Sequence, residues 1–267
     1  MLASASPGPT ATVSESLRLY ALDGIPLIEP GDDIVAPILA AAERAAGGFI
    51  DGDLLVVAQK IVSKAENRYV DLRDVTASAE AERLAPLADK DPRLIEVILR
   101  ESVAVLRQRP GALIVEHRLG FVMANAGIDQ SNVAPADGIE RALLLPTDPD
   151  GSAARLRTAL GQRLGMAPAV IVTDSFGRAW RRGTQGIAIG AAGLPALLDL
   201  RGNPDLFGRT LQVSISGFAD EIASAASLVM GQGDEAQPAV LVRGLAWTAP
   251  DNPAADLVRP AAEDMFR

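Results

Sequence analysis

Cysteine is absent from the 267-residue chain, and histidine occurs once, as His117. The first absence excludes disulfides, thiolate zinc sites and cysteine nucleophiles. The second excludes a histidine pair on zinc and leaves any histidine-based catalytic pair to His117, for which a structural role is the simpler reading. A catalytic metal must therefore be held by oxygen ligands. Aromatics make up only 4% of the chain, so packing has to rely on small and branched aliphatic side chains. No uncharged run reaches the ~18 apolar residues of a membrane span, and Met1 to Ser16 lack the basic start and apolar stretch of a signal peptide. A soluble, cytoplasmic protein is expected. Basic residues are in the minority, and the net charge of −9 argues against general affinity for nucleic acid or an anionic membrane, each of which needs a broad basic face. Missing too are a GxxxxGK[ST] loop and a strand-anchored GxGxxG, so the two commonest nucleotide-binding architectures are not supported.

What is present is a chain long and apolar enough for one large domain or two intimately packed lobes. Residues 1–16, rich in Ser, Ala, Thr and Pro, read as a flexible leader, followed by one unit over 17–267. Helical periodicity runs from Asp33 to Ala46 and stops at Gly47-Gly48. Asp53 to Val57 reads as a buried strand. Glu80 to Ala88 and Asp91 to Gln108 read as helices, the second starting from an Asp-Pro pair. Ala112 to Glu116 and Gly120 to Ala124 form a hairpin around His117-Arg118-Leu119. Asp148 to Ser152 opens a helix that ends near Gly165. Ala169 to Thr173, Leu211 to Ser216 and Ala239 to Val242 read as strands, with a helix from Ala219 to Met230. Strands joined by both helices and hairpins predict a mixed α/β (α+β) fold with a mixed, largely antiparallel sheet and helical layers.

Several segments could carry chemistry. Ala124 to Asn132 packs small residues beside Asp129 and Asn132, a carboxylate and an amide three apart that suit a hard cation and a phosphate oxygen; an Asx-capped turn is the alternative. Thr173-Asp174-Ser175-Phe176-Gly177-Arg178 follows an apolar strand and offers Asp174 and Ser175 as oxygen ligands for magnesium or manganese. From Asp174 to Gly186, three arginines (Arg178, Arg181, Arg182) face a single aspartate, a local excess of positive charge in an acidic chain. Arginine forks beside glycines suit phosphate and carboxylate oxygens. The Met230-Gly231-Gln232-Gly233-Asp234-Glu235 loop reads either as a glycine helix cap or as a wrap around a nucleotide. Gln59-Lys60 and Ser63-Lys64 offer ammonium groups just after the Asp53 to Val57 strand.

Taken together, these segments resemble the coenzyme F-420 gamma-glutamyl ligase family from about Leu19 to Gly244. The resemblance is carried by Gly24-Ile25-Pro26-Leu27-Ile28, Gly31-Asp32-Asp33, Ile61 to Glu66, Ala124 to Asn132, Thr173 to Gly190, Asp220 to Ala223, Met230-Gly231 and Val242-Arg243-Gly244. Asn-Ala-Gly-Ile-Asp-x-Ser-Asn combined with Asp-Ser-x-Gly-Arg and nearby arginines is far more specific than any one piece. Ser175 stands where threonine is common in the family, Asn67 where glycine is, and Met123 where cysteine is. With its last residue at Arg267, the chain is expected to lack the flavin-reductase-like domain fused to some members of the family. The resemblance implies GTP as phosphoryl donor, two magnesium or manganese ions with potassium as a further ion, L-glutamate, and the coenzyme F-420 precursor as acceptor. It carries metal contacts onto Asp129, Asp174, Ser175 and Gln232. Nucleotide contacts fall on Ile25, Pro26, Leu27 and Ile28, on Gln59, Lys60, Lys64 and Asn132, and on the loop Met230, Gly231, Gln232, Gly233, Asp234, Glu235, Ala236 and Gln237. Asp129, Asp174, Arg178 and Arg182 are the expected catalytic set, and two packed lobes in a butterfly-like homodimer the expected architecture. A non-catalytic GTP-binding module and a metal-dependent phosphatase or nucleotide hydrolase are the competing readings.

Overall fold

The computed structural model describes residues 10–130 and 140–265, with the side chains at positions 14 and 15 set aside. In chain order its elements are β1 (Ala11–Ala21), α1 (Val35–Ala46), β2 (Leu54–Ala58), α2 (Gln59–Ala65), β3 (Tyr69–Asp71), α3 (Ala79–Ala88), α4 (Pro92–Arg100), β4 (Ser102–Arg109), β5 (Ala112–His117), β6 (Val122–Ala124), β7 (Arg141–Leu143), α5 (Pro149–Leu164), β8 (Ala169–Arg178), β9 (Arg181–Ala192), β10 (Leu198–Asp199), β11 (Ile215–Ser216), α6 (Phe218–Met230) and β12 (Ala239–Trp247).

The first lobe is a five-stranded sheet in the order β1-β12-β2-β8-β9, antiparallel except for the pair β2 and β8. Its central strands are apolar on both faces. Leu55 and Val57 of β2 point into a core shared with α1, α2 and α5, while Leu54 and Val56 point into a core shared with α6. Period-two alternation thus feeds two layers at once, which is why β2 reads as an unbroken apolar run. One buried ion pair fixes this sheet to α1: Arg243 of β12 grips Asp53 at 2.8 and 2.7 Å and donates to the carbonyls of Ala46 and Gly48. Asp53 is buried, so the two-pronged geometry supplies the partners that its desolvated charge requires.

The second lobe lies between β2 and β8 in sequence. It packs α3 and α4 on the β4-β5-β6 sheet and the β3-β7 pair around its own core, with Leu72, Leu84, Ile95, Ile98 and Leu113 fully buried. Among the described residues, then, the chain forms the mixed α/β fold in two packed lobes that the pattern predicts. His117 sits in this lobe as a buried residue, its Nδ1 accepting from the Leu119 N–H at 2.9 Å. Its Nε2 lies 3.8 Å from Glu101, a carboxylate already shared by Arg68 (3.3 Å) and Arg118 (2.9 Å). Burial, together with those two guanidinium groups, holds the imidazole down at about 4.

Four readings of the sequence are corrected. Strand β1 begins at Ala11, so Ala11 to Val13, inside the expected leader, are paired backbone against β12. The expected helix Asp91 to Gln108 ends at Arg100, and 102–109 is strand β4 paired with β5; Val103 and Val105 favour the strand, and the Gly111 turn folds it back. The expected strand Leu211 to Ser216 is ordered as a strand only at Ile215–Ser216. Finally, β8 runs past Thr173 to Arg178 and turns directly into β9, so Asp174 and Ser175 are strand residues, not loop residues.

Candidate active-site cleft

The one parallel pair of the large sheet positions the site. Ala58, at the carboxyl end of β2, is in register with Thr173 of β8, and the chain passes directly from Ala58 into α2. Gln59 and Lys60 therefore stand beside Asp174 and Ser175, where β2 and its parallel pairing with β8 end, the kind of position at which α/β sheets place ligands. Lys64 follows Lys60 one turn later on the same face of α2.

Around this point opens a cleft of about 600 Å³. Its walls are Ile25 to Ile28, the start of α2, Thr173 to Ser175, Gly186, Ser227 and the loop from Met230 to Pro238. The loop is fixed at both ends. Gly231 caps α6 with a left-handed φ of 75°, a conformation that favours glycine, and the Pro238 carbonyl accepts from the Ala58 N–H at 2.8 Å. Within it, the Gly233 N–H donates to Glu235 at 2.8 Å, and Gln232 Oε1 accepts from the Ser175 hydroxyl at 2.8 Å. Gln59 is buried, its Oε1 accepting from Ser63 at 2.8 Å.

Asp129 reaches this point from the other lobe. Its backbone pairs with Leu143 in both directions at 2.9 Å, and it follows a turn in which Asn125, Ala126 and Gly127 all have positive φ. Two of these are not glycine, an arrangement that persists only where the surroundings enforce it. Asn125 Oδ1 accepts from the Leu113 N–H at 3.0 Å, and Ala126 is fully buried. A Cβ on Gly127 would run into Met123 and Leu145. So braced, Asp129 meets Lys60 Nζ at 2.6 Å.

The electrostatics follow from this packing. Desolvation pushes the Asp174 carboxyl up to about 6, with Asp129 adding to the rise, while the Ser175 N–H and Lys60 act against it. Lys64 is lowered, chiefly by burial and then by the Lys60 ammonium.

Among the described residues no three acidic or histidine side chains converge on one point. The oxygen set is instead two carboxylates, Asp129 and Asp174, with the neutral oxygens of Ser175 and Gln232. Such a set fits a hard cation like magnesium or manganese, which takes few protein ligands and completes its shell with water and phosphate oxygens.

Of the residues singled out in the sequence, Ile25 to Ile28, Gln59, Lys60, Lys64, Asp174, Ser175 and Met230 to Gln237 all line this cleft, with Asp129 joined to it through Lys60. Asn132 lies outside the described residues. The arginines do not line the cleft. Arg178 is four residues along β8 from Asp174, a strand length on the order of 13 Å, and its Nη1 donates to Gln185 at 2.6 Å. Arg181 and Arg182 are exposed at the start of β9. Ser227 was not singled out by sequence. Gly186 was noted only as a companion of the arginines, whereas its lack of a side chain lets β9 lie against the Ala223 carbonyl of α6.

These features define a class: a two-lobed α/β protein whose cleft sets ammonium groups and hard oxygen donors side by side at the ends of a parallel strand pair. The sequence model of the F420-0:gamma-glutamyl ligase family matches residues 24–244. The chain is 44% identical to the coenzyme F420:L-glutamate ligase of Methanothermobacter thermautotrophicus, over 94% of this chain and 99% of that one. It is 42% identical to the enzyme of the same name from Methanopyrus kandleri, over 92% and 97% of the two chains, and 44% identical to that from Natronomonas pharaonis, over 93% of each. The chain belongs to the F420-0:gamma-glutamyl ligase family.

Proposed function

We propose that this protein is a ligase of coenzyme F-420 biosynthesis that joins L-glutamate to the coenzyme precursor as an amide, using GTP to activate the acceptor carboxylate. The observation that carries the reading is one cleft lined by Lys60, Lys64, Asp174, Ser175 and the Gly231 to Gly233 loop, which Asp129 of the second lobe joins through its contact with Lys60, in a chain of this family.

A free carboxylate does not form an amide, because oxide is a very poor leaving group. A carboxylate oxygen of the acceptor attacks the γ-phosphorus of GTP, the bond to the bridging oxygen breaks, and GDP leaves. The amine of glutamate then attacks the acyl carbon of the resulting acyl phosphate, inorganic phosphate departs, and the nitrogen loses a proton. Lys60 and Lys64 hold phosphate oxygens, and the Ile25 to Ile28 segment and the Met230 to Gln237 loop enclose the nucleotide. Asp129, Asp174, Ser175 and Gln232 hold the divalent ions. These ions, when bound, neutralise the triphosphate and align it for in-line transfer. Potassium, the further ion that the resemblance implies, is tested by its effect on rate. Arg178 and Arg182, outside the cleft lining, are assigned to the anionic groups of the acceptor.

The assembly proposed is a homodimer. Its support is the apolar tip of the excursion between β10 and β11, where Leu206 and Phe207 are 92% and 86% exposed, since solvent exposure of adjacent large apolar side chains marks an interaction surface.

The test is to incubate the protein with GTP, manganese, L-glutamate and the unglutamylated precursor, and to weigh the product. Mass increments of one glutamyl unit are expected. Phosphate release that needs no glutamate would point to a hydrolase, and GTP binding without turnover to a regulatory module.

A further inference from the structure

We propose that Lys60 is the resident counter-ion of the divalent-cation site, occupying Asp129 until a metal displaces it and thereby frees the ammonium for the phosphates. This inference rests on the metal reading above and adds an order of events to it.

The geometry is that of a competition. Lys60 Nζ sits 2.6 Å from Asp129 Oδ2, hydrogen-bond contact with one of the oxygens a cation would use. The two groups come from different lobes. Lys60 stands on α2 of the first lobe, and Asp129 on the braced turn of the second. On Lys60's side of the cleft lies Asp174, close enough that Lys60 and Asp129 both bear on its ionisation. Two carboxylates facing one partly desolvated space repel each other, and a single ammonium between the lobes offsets that repulsion as a metal would.

A lysine suits a provisional role. Its charge is carried on a flexible four-carbon stem, so it can leave Asp129 without any backbone movement. It also has somewhere to go, because Lys60 itself lines the cleft, where the phosphates of a bound nucleotide would offer oxygens to its ammonium. A divalent ion on Asp129 and an ammonium on the same oxygen exclude each other. Metal binding therefore delivers Lys60 to the phosphates, and by linkage a phosphate-bearing ligand that holds Lys60 strengthens the metal site in return.

The experiment measures free Mn²⁺ by electron paramagnetic resonance in titrations of the full chain without nucleotide. Lys60→Met removes the competitor and is expected to bind Mn²⁺ about tenfold more tightly than wild type, within the usual range of coupling between sites. Lys60→Arg keeps the charge and stays close to wild type. Mn²⁺ is expected to tighten GTP binding, read by calorimetry, more in wild type than in Lys60→Met. Lys60→Gln is the second variant where the methionine impairs folding. Equal or weaker Mn²⁺ affinity in folded Lys60→Met and Lys60→Gln overturns the proposal while leaving the metal site standing, provided that Asp174→Ala abolishes Mn²⁺ binding. Mn²⁺ binding that survives Asp174→Ala overturns the metal reading and this proposal with it.

Discussion

At the scale of single residues, the same desolvation that makes Asp174 costly to ionise makes it dispensable to the fold. Removing a half-buried carboxylate whose charge desolvation opposes relieves a penalty, so Asp174→Ala is expected to abolish glutamate addition while leaving the thermal midpoint at or above wild type. Asp53 is the opposite case. Its carboxylate is answered by two nitrogens of Arg243, and Asp53→Ala leaves that guanidinium without its counter-charge. A loss of about 3–5 kcal/mol is expected in denaturant unfolding. His117 makes a prediction about pH. Its folded value of about 4 lies below the ordinary value near 6.5, so the unfolded chain takes up a proton first as pH falls. Stability from this group is complete above about pH 6.5 and declines towards pH 4, with about 2 kcal/mol gone by about pH 5. Urea midpoints of wild type and His117→Gln, compared at about pH 7.5 and about pH 5, read that difference, and equal losses in the two proteins would remove the assignment. The absence of cysteine and the solitary histidine had already confined the chemistry to oxygen ligands, and Asp129 could be picked out by the small residues around it and Asp174 by its place after an apolar strand beside Ser175. What the sequence could not reveal is that Asp129 meets a lysine 69 positions earlier in the chain, at 2.6 Å.

Among elements, the turn at Asn125 to Gly127 governs the site more than its length suggests. Gly127→Ala would put a Cβ at a φ of +64° and against Met123 and Leu145. The expected cost is about 2–4 kcal/mol, summing left-handed strain and overpacking, together with loss of turnover as Asp129 shifts. Unchanged stability, measured by chemical denaturation, would show that the turn yields freely. The helices α1, α3, α5 and α6 were legible because capping residues and glycine stops bracket a clear period, as in Ser78 and Asp148 at the start of α3 and α5 and Gly47 and Gly165 at the end of α1 and α5. The segment after Arg100 was not, since its short apolar run fits helix and strand alike and only pairing with β5 decides it. Strand β9 was obscured by its glycines. Gly186 and Gly190 look like loop residues, yet a Cβ there would strike the backbone of α6 and α5 respectively, so they are the price of two helices lying close on one strand.

Over the whole molecule, the set of charges is a product of the two lobes, since the first lines the cleft and the second brings Asp129 to Lys60. The exposed Leu206-Phe207 tip belongs to this scale as well. On the proposed homodimer, Phe207→Asp is expected to give a monomer in light scattering where wild type gives a dimer; a dimer that persists would place the interface elsewhere, and a monomeric wild type would remove the assembly. Sequence pattern gave the mixed architecture but not the way in which the lobes are threaded, because strand order is set by pairings far apart along the chain. The outermost of these is β1 on β12, which brings Ala11 opposite Trp247. It has a consequence for synthesis. The second lobe is built from neighbouring stretches and is free to assemble as soon as it leaves the ribosome, whereas the large sheet waits for nearly the last strand to be made. During that interval the edge that β12 will cover stays open, and the nascent chain, complete in one half, has no cleft in which to bind anything.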